Sequence, residues 1–281
     1  MENTIRGRKV NGRGLLVGFG NLFQANNASW WHTKKWLVHT VLWFVILMGI
    51  FSAGVWTVPI ETVTEFTASQ SSLSLGVILQ NKFGMAIMNF FLYAGMALPI
   101  AAIITGQDAI IGERLSGTGA WLLSKPLSRA AFILSKLAAS TIGLLVTGVL
   151  IQAVFAYAQL SLRIGSPWPA GFFGAMGIVF LNLFFYLTLT FMLGSIFTNR
   201  GIVLGISVGL AFAGPLALHS LPIIKDITPW NFFMPLDNAI PPCIPLSLGQ
   251  SVQSVLPIIG TALMCLVFIA VTLWRFQREE F

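Results

Sequence analysis

Long stretches without a formal charge organise this chain. No Asp, Glu, Lys or Arg occurs in Trp36–Ile60, Phe83–Gln107, Leu137–Leu162, Ile164–Asn199, Gly201–Ile224 or Asn238–Trp274. Each interval supplies the roughly 20 apolar residues that an α-helix needs to cross the hydrocarbon core of a bilayer. Lipid offers the backbone no hydrogen-bond partners, so a crossing segment must satisfy its own amides, as a helix does. The pattern predicts an all-α polytopic membrane protein with six transmembrane helices, near residues 36–57, 84–107, 136–160, 172–197, 201–223 and 255–274.

The intervening segments have their own patterns. Residues 1–13 are basic and Gly-containing, a loose tail suited to anionic headgroups. In residues 14–35, Leu15, Phe19, Leu22 and Phe23 follow helical spacing, with Asn21, Gln24 and Asn26 elsewhere on the wheel. That segment is too polar to span and reads as an interfacial amphipathic helix, with a disordered leader as the alternative. The division is therefore 1–35, tail and interfacial helix, and 36–281, the membrane domain. Residues 225–255 hold Pro229, Pro235, Pro241, Pro242 and Pro245, too many prolines for a regular span. Ile227, Trp230, Phe232, Phe233 and Leu236 in that loop point to short segments folded back on the outer membrane surface.

Composition agrees with the pattern: 56% of the 281 residues are hydrophobic and 9% charged, where a soluble domain carries about a quarter charged residues. Mean hydropathy is +0.83. The formal charge of +7 does not point to nucleic acid, because the basic residues are shared out among the span ends. With the N-terminus in the cytoplasm, only Lys82, Arg163 and Lys225 among the Lys and Arg fall outside. This asymmetry places both termini in the cytoplasm and supports six spans; the membrane is expected to be the plasma (inner) membrane. Trp30, Trp31, Trp36, Trp56, Trp168 and Trp274 stand near span ends, where indoles favour the headgroup zone. Cys243 falls in the last outer loop and Cys265 mid-span, which argues against an intrachain disulfide.

The longest basic-side connection, residues 108–136, is the informative one. It opens on Asp108, Glu113 and Arg114; Gly117 and Gly119 then interrupt the helix descending from the second span. Ser116 or Thr118 can cap a short helix, Ala120–Ser124, that exposes Trp121, Leu122 and Leu123. Lys125–Pro126 ends it, and Ser128 can cap the next helix, which carries Arg129 and Lys136 into the third span. The order Glu113, Gly117-Thr118, Leu122-Leu123, Ser124-Lys125-Pro126, Ser128-Arg129, Lys136 resembles the permeases of type-2 ATP-binding-cassette (ABC-2) exporters over about 25 residues. The six-span layout extends a looser resemblance over the rest of the chain, and Gly119-Ala120-Trp121 departs from the expected aliphatic run.

The resemblance implies that this loop is a cytoplasmic coupling helix docked on a separate ABC ATPase. Glu113, Arg114, Gly117, Thr118, Trp121, Leu122, Lys125, Pro126 and Arg129 would make the contact. ATP and Mg would be bound by that partner and no cofactor by this chain. An amphipathic loop resting on lipid headgroups is the plainer alternative, with Glu113 simply paired to a neighbour such as Arg114.

Other candidate chemistry is thin. Leu246–Gln250 ("LSLGQ") and Leu115–Gly119 look like ATPase signatures, but no G-x-x-x-x-G-K-[ST] phosphate loop occurs anywhere. His32, His39 and His219 lack metal spacing, and no catalytic or metal set is assigned. Gly201, Gly205, Gly209 and Ala213 recur every fourth residue along span five. Such a stripe allows close helix approach, either as an inter-subunit seam beside the transport path or as packing within one bundle.

Polar residues inside the spans (Asn89, Gln152, Gln159, Asn182, Thr188, Thr190, Ser195) are uncharged. Ion-coupled carriers use ionisable groups at that depth, so energy is expected from outside the membrane, and the cargo to be hydrophobic or amphipathic. The reading is a permease subunit of an ATP-driven exporter, pairing with a second permease copy in a homo- or heterodimer, surrounded by membrane lipid. A non-transport scaffold or sensor using the 108–136 loop is the alternative.

Overall fold

Helix α1 (Phe19–Trp31) precedes four long apolar helices: α2 (Lys35–Thr57), α3 (Gly84–Leu115), α4 (Arg129–Arg163) and α5 (Pro169–Ile196). There follow α6 (Arg200–Phe212), α7 (Gly214–Ala217), a 3-10 turn at Pro229–Phe232, α8 (Cys243–Ser247) and α9 (Leu256–Gln277). The computed structural model describes residues 14, 16–57, 84–115 (114 and 115 by backbone alone), 127–217, 221, 224, 227–234 and 240–278. Every regular element among them is helical. The chain is thus an all-α polytopic membrane protein, and among the described residues α2, α3, α4, α5 and α9 are the helices long and apolar enough to cross a bilayer.

The expected crossing at 201–223 takes a different form. Helix α6 is 13 residues long, which at 1.5 Å per residue reaches about 20 Å, short of the roughly 30 Å of hydrocarbon. Pro215 has no amide to extend the α6 ladder, and α7 restarts at Gly214. The missing β-carbon of Gly214 is what admits the Trp230 ring. In place of a sixth long helix, the described residues hold five helices long enough to cross and one shorter apolar helix, α6.

Helix α5 is the axis of the bundle, packing against α3, α9, α8 and α6. Its buried positions, from Phe172 to Ser195, run all round the helix, whereas α2 and α9 keep broad exposed apolar faces such as Val45 and Leu266. One contact links sequence to packing closely. Pro99 lies inside α3 and cannot donate to the Gly95 carbonyl four residues back. Asn182 of α5 supplies the missing donor, Nδ2 to Gly95 O at 3.1 Å. In lipid an unsatisfied carbonyl is costly, so Asn182 completes α3.

Among the other polar span residues, the Gln159 carbonyl of α4 accepts from Ser52 Oγ of α2 at 2.8 Å. Thr188, Thr190 and Ser195 donate to carbonyls of their own helix. Gln152 Nε2 turns back to Thr147 O at 3.3 Å, inside the widened π-helical segment Leu145–Leu150 of α4.

The described residues of the Pro-rich loop pack back onto the bundle. Phe233 sits over Gly95, and Trp230 Nε1 donates to Tyr186 Oη at 3.2 Å. Phe232, Cys243 and Ile244 are buried. The "LSLGQ" motif is the end of α8: Gln250 N donates to Pro245 O at 2.8 Å, and Gly249 takes φ +77° beneath Trp168. Left-handed geometry favours glycine there, a structural role unrelated to nucleotide.

Both cysteines are free and buried, and burial pushes the Cys243 thiol well up. Neither is expected to react with a maleimide in intact membranes, while a Leu162→Cys control at a position 79% exposed labels fully. Rapid labelling of the wild-type chain would contradict this packing.

Candidate functional site

Among the described residues the ion pairs gather at one end of the bundle, the basic end, where α3 stops and α4, α6 and α2 begin. Helix α3 runs past its apolar stretch to Leu115. Ser128 starts α4 as the sequence anticipates, its Oγ accepting from Ala131 N at 3.0 Å. Its own amide donates to Val17 O at 3.1 Å, just before α1. Gly18 takes φ +84°, and the Leu127 side chain occupies the space a β-carbon would need there. Both sides of residues 116–126 are thereby anchored, one by the long α3 and the other by the cap of α1.

Three links tie this end together. Lys136 Nζ donates to Glu113 Oε1 at 2.6 Å, joining α4 to α3, with side chains 13% and 24% exposed. Arg200 at the start of α6 pairs with Asp108 of α3, also at 2.6 Å but with side chains 47% and 57% exposed. Gly112 leaves room for that carboxylate, since a β-carbon there would stand 2.8 Å from Asp108 Oδ1. Arg129 Nη1 donates to Gln277 O at 2.7 Å, tying the start of α4 to the last turn of α9. The Lys136 ammonium also lies 5.3 Å from the Phe132 ring, which stacks on Phe276 of α9.

Helix α1 is docked on the bundle. It packs along α4, with Leu22 and Trp30 buried; Asn26 Nδ2 reaches Ser135 Oγ at 3.2 Å, and the Trp30 indole fills the space above Gly143. Trp30 also contacts His39 of α2 at a ring distance of 5.1 Å. Between α1, α3, α4 and α6 lies a polar chamber of about 510 Å³. Among the described residues no group of three His, Cys, Asp or Glu stands close enough to hold a metal.

The structure brings Glu113 and Arg129 to the same end of the bundle. Gly117, Thr118, Trp121, Leu122, Lys125 and Pro126, with the side chain of Arg114, lie outside the described residues. Gly201, Gly205, Gly209 and Ala213 are exposed on α6. A β-carbon at Gly205 or Gly209 would meet nothing within 4 Å, so at those two positions the stripe makes no contact within the described bundle. Sequence reasoning did not single out Arg200, Gly112, Lys35 or the Gln277 carbonyl. Arg200 closing one charge-free interval and Asp108 another was the available signal, but nothing in the sequence paired them.

A family model described as an ABC-2 family transporter protein matches residues 31–281. The chain belongs to the ABC-2 transporter family. No curated protein matches it. As an ABC-2 permease the chain is a transmembrane component of an ABC transporter, distinct from the ATPase, and an ABC ATPase subunit is its partner. The match spans the long apolar helices α2, α3, α4, α5 and α9 and the three links at the basic end, and leaves out nearly all of α1.

Proposed function

We propose that this ABC-2 permease is the membrane subunit of an ATP-driven exporter for a hydrophobic or amphipathic substrate, and that the ATPase pushes on residues 113–129. The observation that carries the reading is the set of links around that segment. Glu113–Lys136 clamps α3 to α4, and Arg129 to the Gln277 carbonyl clamps α4 to α9. A force applied between Leu115 and Leu127 would move three crossings together, which suits rigid-body transmission. In this reading the basic end and both termini are cytoplasmic, the membrane is the plasma membrane, and the partner binds ATP and Mg. Residues 1–35 form a cytoplasmic tail and an interfacial amphipathic helix, and 36–281 the permease domain. The exposed α6 stripe suits a seam with a second permease copy.

Arg114→Glu and Trp121→Pro test the reading. Each is expected to abolish ATP-driven transport, and co-purification of a stoichiometric ATPase, while membrane insertion is unchanged. Normal ATP-driven transport in both variants would refute it. A stoichiometric cytoplasmic partner without nucleotide hydrolysis would favour the scaffold alternative.

A further inference from the structure

The chamber at the basic end is walled by three cations, Lys35, Lys136 and Arg200, and two carboxylates, Asp108 and Glu113. Lys136 is taken by Glu113 and Arg200 by Asp108. Lys35 has no carboxylate partner among the described residues, so the lining carries one positive charge beyond its own acids. A single anionic group would balance it. The Asp108 and Arg200 side chains are about half exposed, so a ligand head has access without any helix parting.

What continues from the chamber narrows the ligand class. A second recess of about 440 Å³ shares Trp30, Lys35, Thr105 and Asp108 with it and runs between α2 and α3 past Val38 and Ile104. Val38 is 54% and Ile104 46% exposed, on helices read as membrane crossings, so their outer surfaces are lipid-facing. A free inorganic anion would use the first cavity and meet in the second only one further cation, Lys34, beyond the shared residues, leaving the apolar flank of Val38 and Ile104 empty. An amphiphile fills both, its head in the charged chamber and its chain on the apolar flank. Trp36, 37% exposed one turn before His39, sets this level near the headgroup zone, where indoles concentrate.

We propose that chamber and recess together bind one anionic glycerophospholipid, headgroup at Lys35 and acyl chain along Val38 and Ile104. The proposal does not depend on the transport reading, because its test needs neither ATP nor a partner. Native mass spectrometry of the full chain, released from phosphatidylcholine nanodiscs containing a minority of phosphatidylglycerol, reads the retained lipid. Wild type is expected to retain phosphatidylglycerol over phosphatidylcholine. Lys35→Glu should lower that occupancy about tenfold, the worth of one charge-assisted hydrogen bond. Ile104→Glu should lower it as well, and Arg278→Glu, an equal charge change beside Trp274, should not.

Equal retention of the two lipids, or equal losses in Lys35→Glu and Arg278→Glu, would overturn the site. Displacement of phosphatidylglycerol by soluble glycerol phosphate, with Ile104→Glu unaffected, would reassign it to a free anion and overturn the lipid proposal. Circular dichroism of each variant identifies any that does not fold; since Lys35 and Ile104 are both exposed, the remaining one keeps the test decisive.

Discussion

Glu113→Met is expected to destabilise the protein by about 2–3 kcal/mol in detergent unfolding, and Glu113→Met with Lys136→Met to recover most of that loss. The single change strips a 2.6 Å carboxylate from an ammonium only 13% exposed. Severing a fully buried pair costs roughly 3–5 kcal/mol, because the remaining charge keeps its desolvation penalty. The residual exposure of both groups lowers the figure. Removing both charges removes the penalty as well, and apolar pairs at such sites are often as stable as the ions they replace. The double-mutant cycle should therefore give a clear coupling energy between α3 and α4. Arg200–Asp108 has the same length, yet both side chains are about half exposed, and water and salt screen it. Arg200→Met is expected to cost under about 1 kcal/mol. If the two pairs proved equally weak, α3 and α4 would not be locked at their base and the lever argument would lose its fulcrum.

Much of this architecture is legible in the charge-free intervals, because exclusion of charge is the direct imprint of hydrocarbon. The crossing expected at 36–57 lies in the helix Lys35–Thr57, and that expected at 172–197 in Pro169–Ile196. Span five was harder to read because hydropathy sums composition without asking whether the helix continues. Pro215 was present in the sequence and marks where the ladder of α6 ends. The loop at 225–255 showed its irregularity through proline, but not its destination. Phe233 and Trp230 dock where Gly95 and Gly214 leave space, and such pairings join residues far apart in the chain.

Glycines carry the same lesson. The stripe on α6 is regular, yet glycines that receive a side chain in this bundle stand outside it, such as Gly143 beneath Trp30. The Asn182–Gly95 contact was within reach of sequence reasoning. A proline inside a span frees a carbonyl four residues earlier, and a buried amide elsewhere is a candidate donor. Glu113 and Lys136 were visible as members of one motif, but their contact depends on how α3 and α4 lie side by side.

Gly106→Val should be strongly destabilising. Gly106 sits where α3 crosses α5, the most extensively packed pair in the bundle. A β-carbon there would overlap the Thr190 hydroxyl, stand 2.9 Å from Thr190 Cβ and touch Leu187 at 3.4 Å. The obstruction is not the end of a flexible chain. Thr190 is held by its own hydroxyl, which donates to Tyr186 O at 2.8 Å, so the strain passes into the backbone separation of two buried helices. In lipid, helix association rests on close van der Waals approach, which a glycine at the crossing permits. Overpacking a well-filled core costs about 1–3 kcal/mol, and branching at Cβ places Val at the upper end. Thr190→Ala in the Gly106→Ala background should return part of the loss by removing the hydroxyl, whereas the same change in the wild-type chain should be mild. Gly205→Val is the matched comparison: the same substitution on α6 at a position with nothing within 4 Å should leave the monomer's stability unchanged. Should Gly106→Val unfold at the same denaturant concentration as Gly205→Val, α3 and α5 do not meet as closely as described, and the path from the basic end into the bundle would have to run elsewhere.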